Sequence, residues 1–269
     1  MTNCTARRWA TSHQSLGVVV FFRLSPFGLL FSFIILTCGL DVENPIPPSS
    51  PIWTQKSLPE DWPERGIDAH ESGGIYLEWE MNSDEDIKAY LIYRANRFDA
   101  FDSTGEYEFL ARLEADSHSE TQYLDITVGT RSRYYYRLKT ENKSGEFSIF
   151  SDPVTYALLP QIDIGNMIPN GVDEGLNIER KLFWNYDHSI EMEDYVITIL
   201  TQHDELICRA NFQSGNYTDI SETWSIPTHI EFQNNQIYKW RIDVGANYQV
   251  GIEDTGSESA WASFIYIGN

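Results

Sequence analysis

Six histidines, three cysteines and 40 acidic residues are the side chains of this 269-residue chain that could do chemistry. Acid–base or metal catalysis needs such groups in clusters, and their spacing here does not cluster them. His70, His118, His188, His203 and His229 are scattered singly and read as loop or surface residues. There is no Gly-x-Ser-x-Gly elbow, no His-Glu-x-x-His pair and no glycine-rich phosphate loop. Cys208 lies in a strand-like run, Leu206-Ile207-Cys208, without a neighbouring cysteine to complete a metal knuckle, so a small buried apolar role is expected. Two acidic runs, Asp84-Glu85-Asp86 and Glu191-Met192-Glu193-Asp194, are oxygen-rich, and calcium takes roughly six to eight oxygen ligands. Neither has the Asp-x-Asp-x-Asp-Gly arrangement that places ligands around an ion, so both read as solvated loops. The pattern points to no catalytic residue, no metal site and no cofactor.

Cys38 is different, because it ends the apolar run from Phe27 to Thr37 and opens a strongly acidic body. Arg7, Arg8 and Arg23 precede it and no Asp or Glu does, the charge pattern of a signal peptide. The string Ile35-Leu36-Thr37-Cys38-Gly39 resembles a loose bacterial lipobox, in which a peptidase cuts before a cysteine that carries lipid. The resemblance implies residues 1–37 as a cleaved leader, with a true start near 18–20, and a lipid at Cys38 that makes the membrane a partner. It implies a bacterial cell envelope, with a lean to the outer membrane or cell surface because Gly39 is not a retention signal of the Asp type. An uncleaved anchor is the alternative, since Leu24 to Leu40 approaches the roughly 20 apolar residues that span a bilayer. Pro26 and the cysteine at the far edge favour cleavage.

The whole chain has 19 Lys plus Arg against 40 Asp plus Glu, a net charge of −21. Without the leader's three arginines the body stands at about −24. A field of this sign repels phosphates, which excludes nucleic acid and anionic headgroups as partners. With Cys38 lipidated, Cys208 has no disulfide partner. Packed cores must then carry the stability, and about 200 residues suffice for two.

The elements that would position any site come from a repeat. Residues 38–61 read as a lipidated cysteine and a linker, in which Asn44-Pro45-Ile46-Pro47-Pro48-Ser49-Ser50-Pro51 favours polyproline conformation at about 3.1 Å per residue, either as a stalk or as an unstructured tail. Beyond it, Trp79 and Tyr90 recur as Trp184 and Tyr195 at an offset of 105, and Tyr134-Tyr135-Tyr136-Arg137-Leu138 recurs as Tyr238-Lys239-Trp240-Arg241-Ile242 at 104. A period near 100 residues is too long for a solenoid and suits a β-sandwich. Ile75, Leu77 and Trp79 alternate with Glu78 and Glu80, and Tyr134, Tyr136 and Leu138 with Tyr135, Arg137 and Lys139. In the second copy Tyr238, Trp240 and Ile242 form the dry face, which leaves Lys239, Arg241 and Asp243 in water. The runs from Tyr90 to Arg94 and from Tyr195 to Leu200 are apolar on both faces and read as central strands.

Leu77-Glu78-Trp79, Tyr90-Leu91-Ile92-Tyr93-Arg94, Tyr123-Leu124-Asp125, Val128-Gly129-Thr130, Tyr134 to Leu138 and Phe150-Ser151-Asp152-Pro153-Val154 follow one another in an order that resembles a fibronectin type III domain. The resemblance covers about residues 62–159, and residues 160–269 resemble a divergent copy carried by Trp184, Tyr195, Tyr238, Trp240 and Arg241. It implies an all-β chain of two tandem immunoglobulin-like sandwiches. Trp79 would then lie in the core with Tyr90 against it, and Tyr134 would cap a sheet corner, although Arg131-Ser132-Arg133 lengthens the turn before it. The short join at Leu159-Pro160 predicts a stiff pair. Aromatics outside the core pattern, including Trp53, Trp62, Phe101 and Trp224, are expected as lids over the sandwich ends, with Phe101 and Trp224 the candidates for stacking on a ligand. The function these features suggest is a non-catalytic, lipid-anchored envelope protein serving adhesion, scaffolding or spacing through a protein partner. The alternative is an accessory module that binds extracellular polysaccharide.

Overall fold

The computed structural model describes residues 46–59, 61–96, 106–115, 121–176, 179–186, 194–213, 221–245 and 254–268. Residues 1–37, read above as a leader, and Cys38, Phe101, His118, His188 and Glu191 to Glu193 lie outside them. The first half forms β1 (Ile67–His70), β2 (Gly74–Glu78), β3 (Ile87–Asn96), β4 (Glu108–Glu114), β5 (Gln122–Asp125), β6 (Arg133–Asn142) and β7 (Val154–Leu158). After a 3-10 turn at Ile164–Asn166 come β8 (Met167–Ile168), β9 (Lys181–Asn185), β10 (Asp194–Thr201) and β11 (Leu206–Gln213). The chain closes with β12 (Ser221–Ser225), β13 (Gln236–Gly245), β14 (Asp254–Glu258) and β15 (Ala262–Tyr266). The described part of the chain is all-β.

In the first half the sheet β1-β2-β5 lies across from β4-β3-β6-β7. The period-two pattern explains the filling between them, since Ile75, Leu77 and Trp79 meet Tyr90, Ile92, Tyr136 and Leu138 in one core. The second half repeats this with β12-β9-β8 opposite β11, β10 and β13, and a core built on Leu182, Trp184, Tyr195, Ile197, Trp240 and Phe264. Burying one such large side chain stabilises by about 1.5–3 kcal/mol. Strands β3 and β10 are central, which is why their sequences are apolar on both faces.

Each core is keyed by an aromatic pair. Trp79 and Tyr90 have ring centroids 5.4 Å apart, and Trp184 and Tyr195 5.3 Å apart. Each sheet corner is closed by a tyrosine hydroxyl that accepts a backbone N–H five residues upstream. Gly129 donates to Tyr134 at 2.8 Å and Gln233 to Tyr238 at 2.7 Å. The longer turn before Tyr134 is absorbed at Arg131, which takes a positive φ of 62°. A serine repeats as well. Ser151 Oγ accepts from Leu138 N and Ser259 Oγ from Ile242 N, at 2.9 and 3.0 Å, where the last strand of each sandwich breaks in two.

One expectation is corrected. The proline-dense segment, read as a linker up to residue 61, is packed on the first sandwich from Ile46 onward. Trp53 is 5% exposed, belongs to the first core and bridges to Trp79, so it is no lid. The segment adds an edge strand in which Glu80 N donates to Ile52 O and Thr54 N to Glu78 O, at 2.8 and 3.1 Å. Prolines lack the N–H but keep their neighbours' carbonyls. Here Ser49 O takes the Thr140 hydroxyl and the Asn82 amide, and Ile46 O takes the Asn142 amide. The second copy repeats the arrangement, with Met167 opposite Trp184 as Trp53 is opposite Trp79.

Candidate functional site at the join between the sandwiches

Hydrogen bonding crosses the join at Leu159-Pro160. Strand β14 pairs in parallel with β7, setting Asp254, Thr255 and Gly256 beside Tyr156, Ala157 and Leu158. Leu159 N donates to Gly256 O at 2.8 Å. The two larger sheets thereby become one, in the order β11-β10-β13-β14-β7-β6-β3-β4. Gly256 is required by close approach, because a Cβ there would lie 2.5 Å from Val244 O and 2.7 Å from the Tyr156 hydroxyl.

Around this seam the first sandwich lays residues 61–71 over the outer face of β13. Trp62 rests on Gly245, where a Cβ would come within 2.6 Å of its ring. Gln161 Nε2 donates to the carbonyls of His70, Glu71 and Glu258, and Ser257 Oγ to Pro160 O. Arg133 on β6 reaches Thr255 Oγ1 at 2.9 Å. Arg209 of β11 pairs with Asp61 at 3.3 Å.

Arg241 is the hub. Its two terminal nitrogens grip the Glu258 carboxylate at 2.9 and 2.8 Å, a forked pairing that fixes orientation as well as charge. Its Nε meets Asp243 at 2.7 Å, Glu71 stands 3.9 Å away, and the guanidinium lies over the Trp261 ring. Asp68 of β1 accepts the Ala69 N–H at 2.7 Å and the Tyr156 hydroxyl at 3.1 Å. Burial raises the Asp68 carboxyl well above the carboxylate range, with repulsion from Glu64 and Asp243 adding to it. Burial also raises Glu258 and Asp243, in each case against the opposing pull of Arg241. Buried ion pairs add little net stability, but they penalise every arrangement that leaves a charge unpaired. This cluster therefore fixes how one sandwich is set against the other.

The wet face read for Lys239, Arg241 and Asp243 is corrected here. Asp243 is 7% exposed and the Arg241 side chain 18%. Alternation identifies the face that points away from a strand's own core, and the first sandwich covers that face. Only Lys239, ion-paired with Asp204, remains toward the rim.

Trp79, Tyr90, Tyr134, Trp184, Tyr195, Tyr238 and Trp240 all lie in the two cores. Trp224 is partly buried in β12, opposite Leu182, and packs against the second core. Cys208 is half-buried on the same core, and burial raises its thiol. His70 Nδ1 is 2.8 Å from Ser72 Oγ. The Asp84 loop is tied down, with its carboxylate accepting the Ser49 N–H. Among the described residues, no group of three or more His, Cys, Asp or Glu is arranged to hold a metal ion. Asp68, Arg241, Asp243 and Glu258 were missed from the sequence. The signal that could have found them is the placement of Gly245 and Gly256 on strands flanked by charged residues, since strand glycines mark close approach of another chain segment.

No protein-family model matches the sequence, and the search of curated proteins found no match. Among solved structures the chain is similar to the FN1-FN3 domains of chicken CNTN1, at 16% identity over 82% of this chain and 69% of that one, with a TM-score of 0.32. It is similar also to an Fn3-like protein from Clostridium thermocellum, at 19% identity over 44% of this chain and 99% of that one, with a TM-score of 0.30. The strand pairing and the two cores carry the sandwich assignment, and these scores add nothing to it.

Proposed function

We propose that this chain is a non-catalytic, lipid-anchored cell-envelope protein whose joined sandwiches act as a rigid spacer or scaffold, holding a partner-binding surface at a fixed orientation to the membrane. The observation that carries the reading is the β7–β14 pairing, which runs one sheet through both sandwiches. Flexibly linked domains behave as independent modules, whereas a shared sheet passes orientation and load from one to the next. Tethering at Cys38 would complete such a device. Adhesion through a protein partner fits this reading better than glycan stacking, because Trp224 has part of its surface packed against the second core. Envelope fractionation of wild type and Cys38→Ala tests the anchor. Wild type is expected with membranes and the variant in the soluble fraction. A variant that still sediments with membranes would remove the lipid from the account.

A further inference from the structure

The outer face of the first sandwich carries an aromatic cluster with cations laid on it. Tyr93 lies 5.8 Å from Phe109 and 5.0 Å from Phe150, edge to face. Arg137 is stacked over Tyr107 at 4.9 Å and Lys139 over Phe150 at 4.3 Å. Phe109 is 57% exposed and Ile149 78%, so the cluster opens to solvent. The chain carries a net charge of −21, yet among the described residues no carboxylate stands within ion-pair distance of Arg137 or Lys139. Arg112 and Lys88 on the neighbouring strands are, by contrast, paired with Glu141.

Strand register shows what covers such a face. Arg137 is opposite Tyr93 and Tyr93 opposite Phe109, as Arg241 is opposite Thr198 and Thr198 opposite Arg209. In the second sandwich that face is occupied by an acidic segment, with Asp61 paired to Arg209 and Glu71 3.9 Å from Arg241. In the first sandwich Lys139 takes the place of Asp243 and Phe109 that of Arg209, so the face fits carboxylates and apolar contact together. The covering segment also has a counterpart. Residues 54–71 follow Trp53 as residues 168–176 follow Met167. There Val172 is 53% exposed, with Asp173 and Glu174 exposed beside it. Leu176 N donates to Ile265 O beside the start of β13, whereas Gly245, at the seam, lies at the other end of that strand.

We propose that residues 172–174 of one molecule dock on the outer face of the first sandwich of another molecule of this chain, joining them head to tail. The inference deepens the scaffold reading above by naming a second molecule as the partner. Two such outer faces do not pack on each other, because Arg137 and Lys139 would meet like charges. The two docking surfaces differ, so the contact is heterologous and repeats from molecule to molecule.

Sedimentation velocity of the full chain tests this. A non-ionic detergent masks the apolar run before Cys38, and about 0.15 M salt screens charges more than about 8 Å apart. The average mass of wild type is expected to climb past that of one chain between about 1 µM and 1 mM, where weak associations saturate. One variant reverses the face, Arg137→Glu with Lys139→Glu. A second reverses the loop, Val172→Lys with Asp173→Lys, and keeps Glu174, whose carboxylate accepts the Asn170 N–H. Each alone should associate at least tenfold more weakly than wild type, and circular dichroism melts report that each is folded. An equimolar mixture should recover association, because each reversed surface then meets its complement. A wild type that stays monomeric throughout, a folded loop variant that associates as wild type does, or a mixture of folded variants that stays apart would overturn the head-to-tail contact. Those results leave the anchor standing, since fractionation tests it separately.

Discussion

Replacing Trp53 by alanine is expected to cost about 3–5 kcal/mol of unfolding free energy, the range for a buried Trp truncated in a well-packed core. The indole is 5% exposed, lies across from Trp79 and donates its Nε1–H to the Asp152 carbonyl at 2.7 Å. Alanine empties that volume and leaves the carbonyl without its donor. Trp53→Phe keeps most of the apolar contact and loses the hydrogen bond, for about 1–2 kcal/mol. Ile52→Ala is the control, since its neighbouring side chain is 62% exposed and an exposed truncation stays within about 0.5 kcal/mol. Urea denaturation followed by far-UV circular dichroism separates these values, because it does not depend on the fluorescence of the deleted ring. If Trp53→Ala costs less than about 1 kcal/mol, like Ile52→Ala, the segment before residue 62 is a dispensable spacer and the packing described above is wrong.

Tyr134→Phe and Tyr238→Phe should each destabilise by about 1 kcal/mol, because each removes the oxygen that accepts a corner N–H. Thermal melts that leave both variants at wild-type stability would show the corners to be incidental. Asp125 is buried, which alone would raise its carboxyl. Hydrogen bonds from Thr127, Arg94 and Tyr136 outweigh this and hold it below its ordinary value of 3.8. A lowered carboxyl contributes stability above the ordinary value and loses it as pH falls toward the lowered one. Wild type is therefore expected to lose stability below about pH 4 more steeply than Asp125→Asn, which starts less stable at pH 7; parallel acid-unfolding curves would refute the role.

The repeat, the alternation and the aromatic landmarks made most of each sandwich legible. A half-buried strand needs a period of two, and Trp79, Tyr90, Tyr134 and their counterparts are large rings that fit only a core. The first edge strand was not legible, because a run such as Pro45-Ile46-Pro47-Pro48 has the same extended backbone whether it stands free or lies along a sheet. What separates the two is whether Thr140, Asn82 and Asn142, distant in sequence, donate to its carbonyls.

The candidate site shows the division more sharply. Sequence alone determined that the body is acidic, that Cys38 stands at the end of an apolar run, and that the two sandwiches follow one another through a short join. It could not say that Arg241 and Asp243, spaced as a solvated face, are covered by Trp62 and the turn at Glu71. Nor could it say that Asp68 and Glu258, 190 positions apart by number, share one seam. Side-chain period is a property of one strand and is written in neighbouring residues. The surface that covers a strand comes from another part of the fold, and with it the desolvation that raises carboxyls spaced like surface acids.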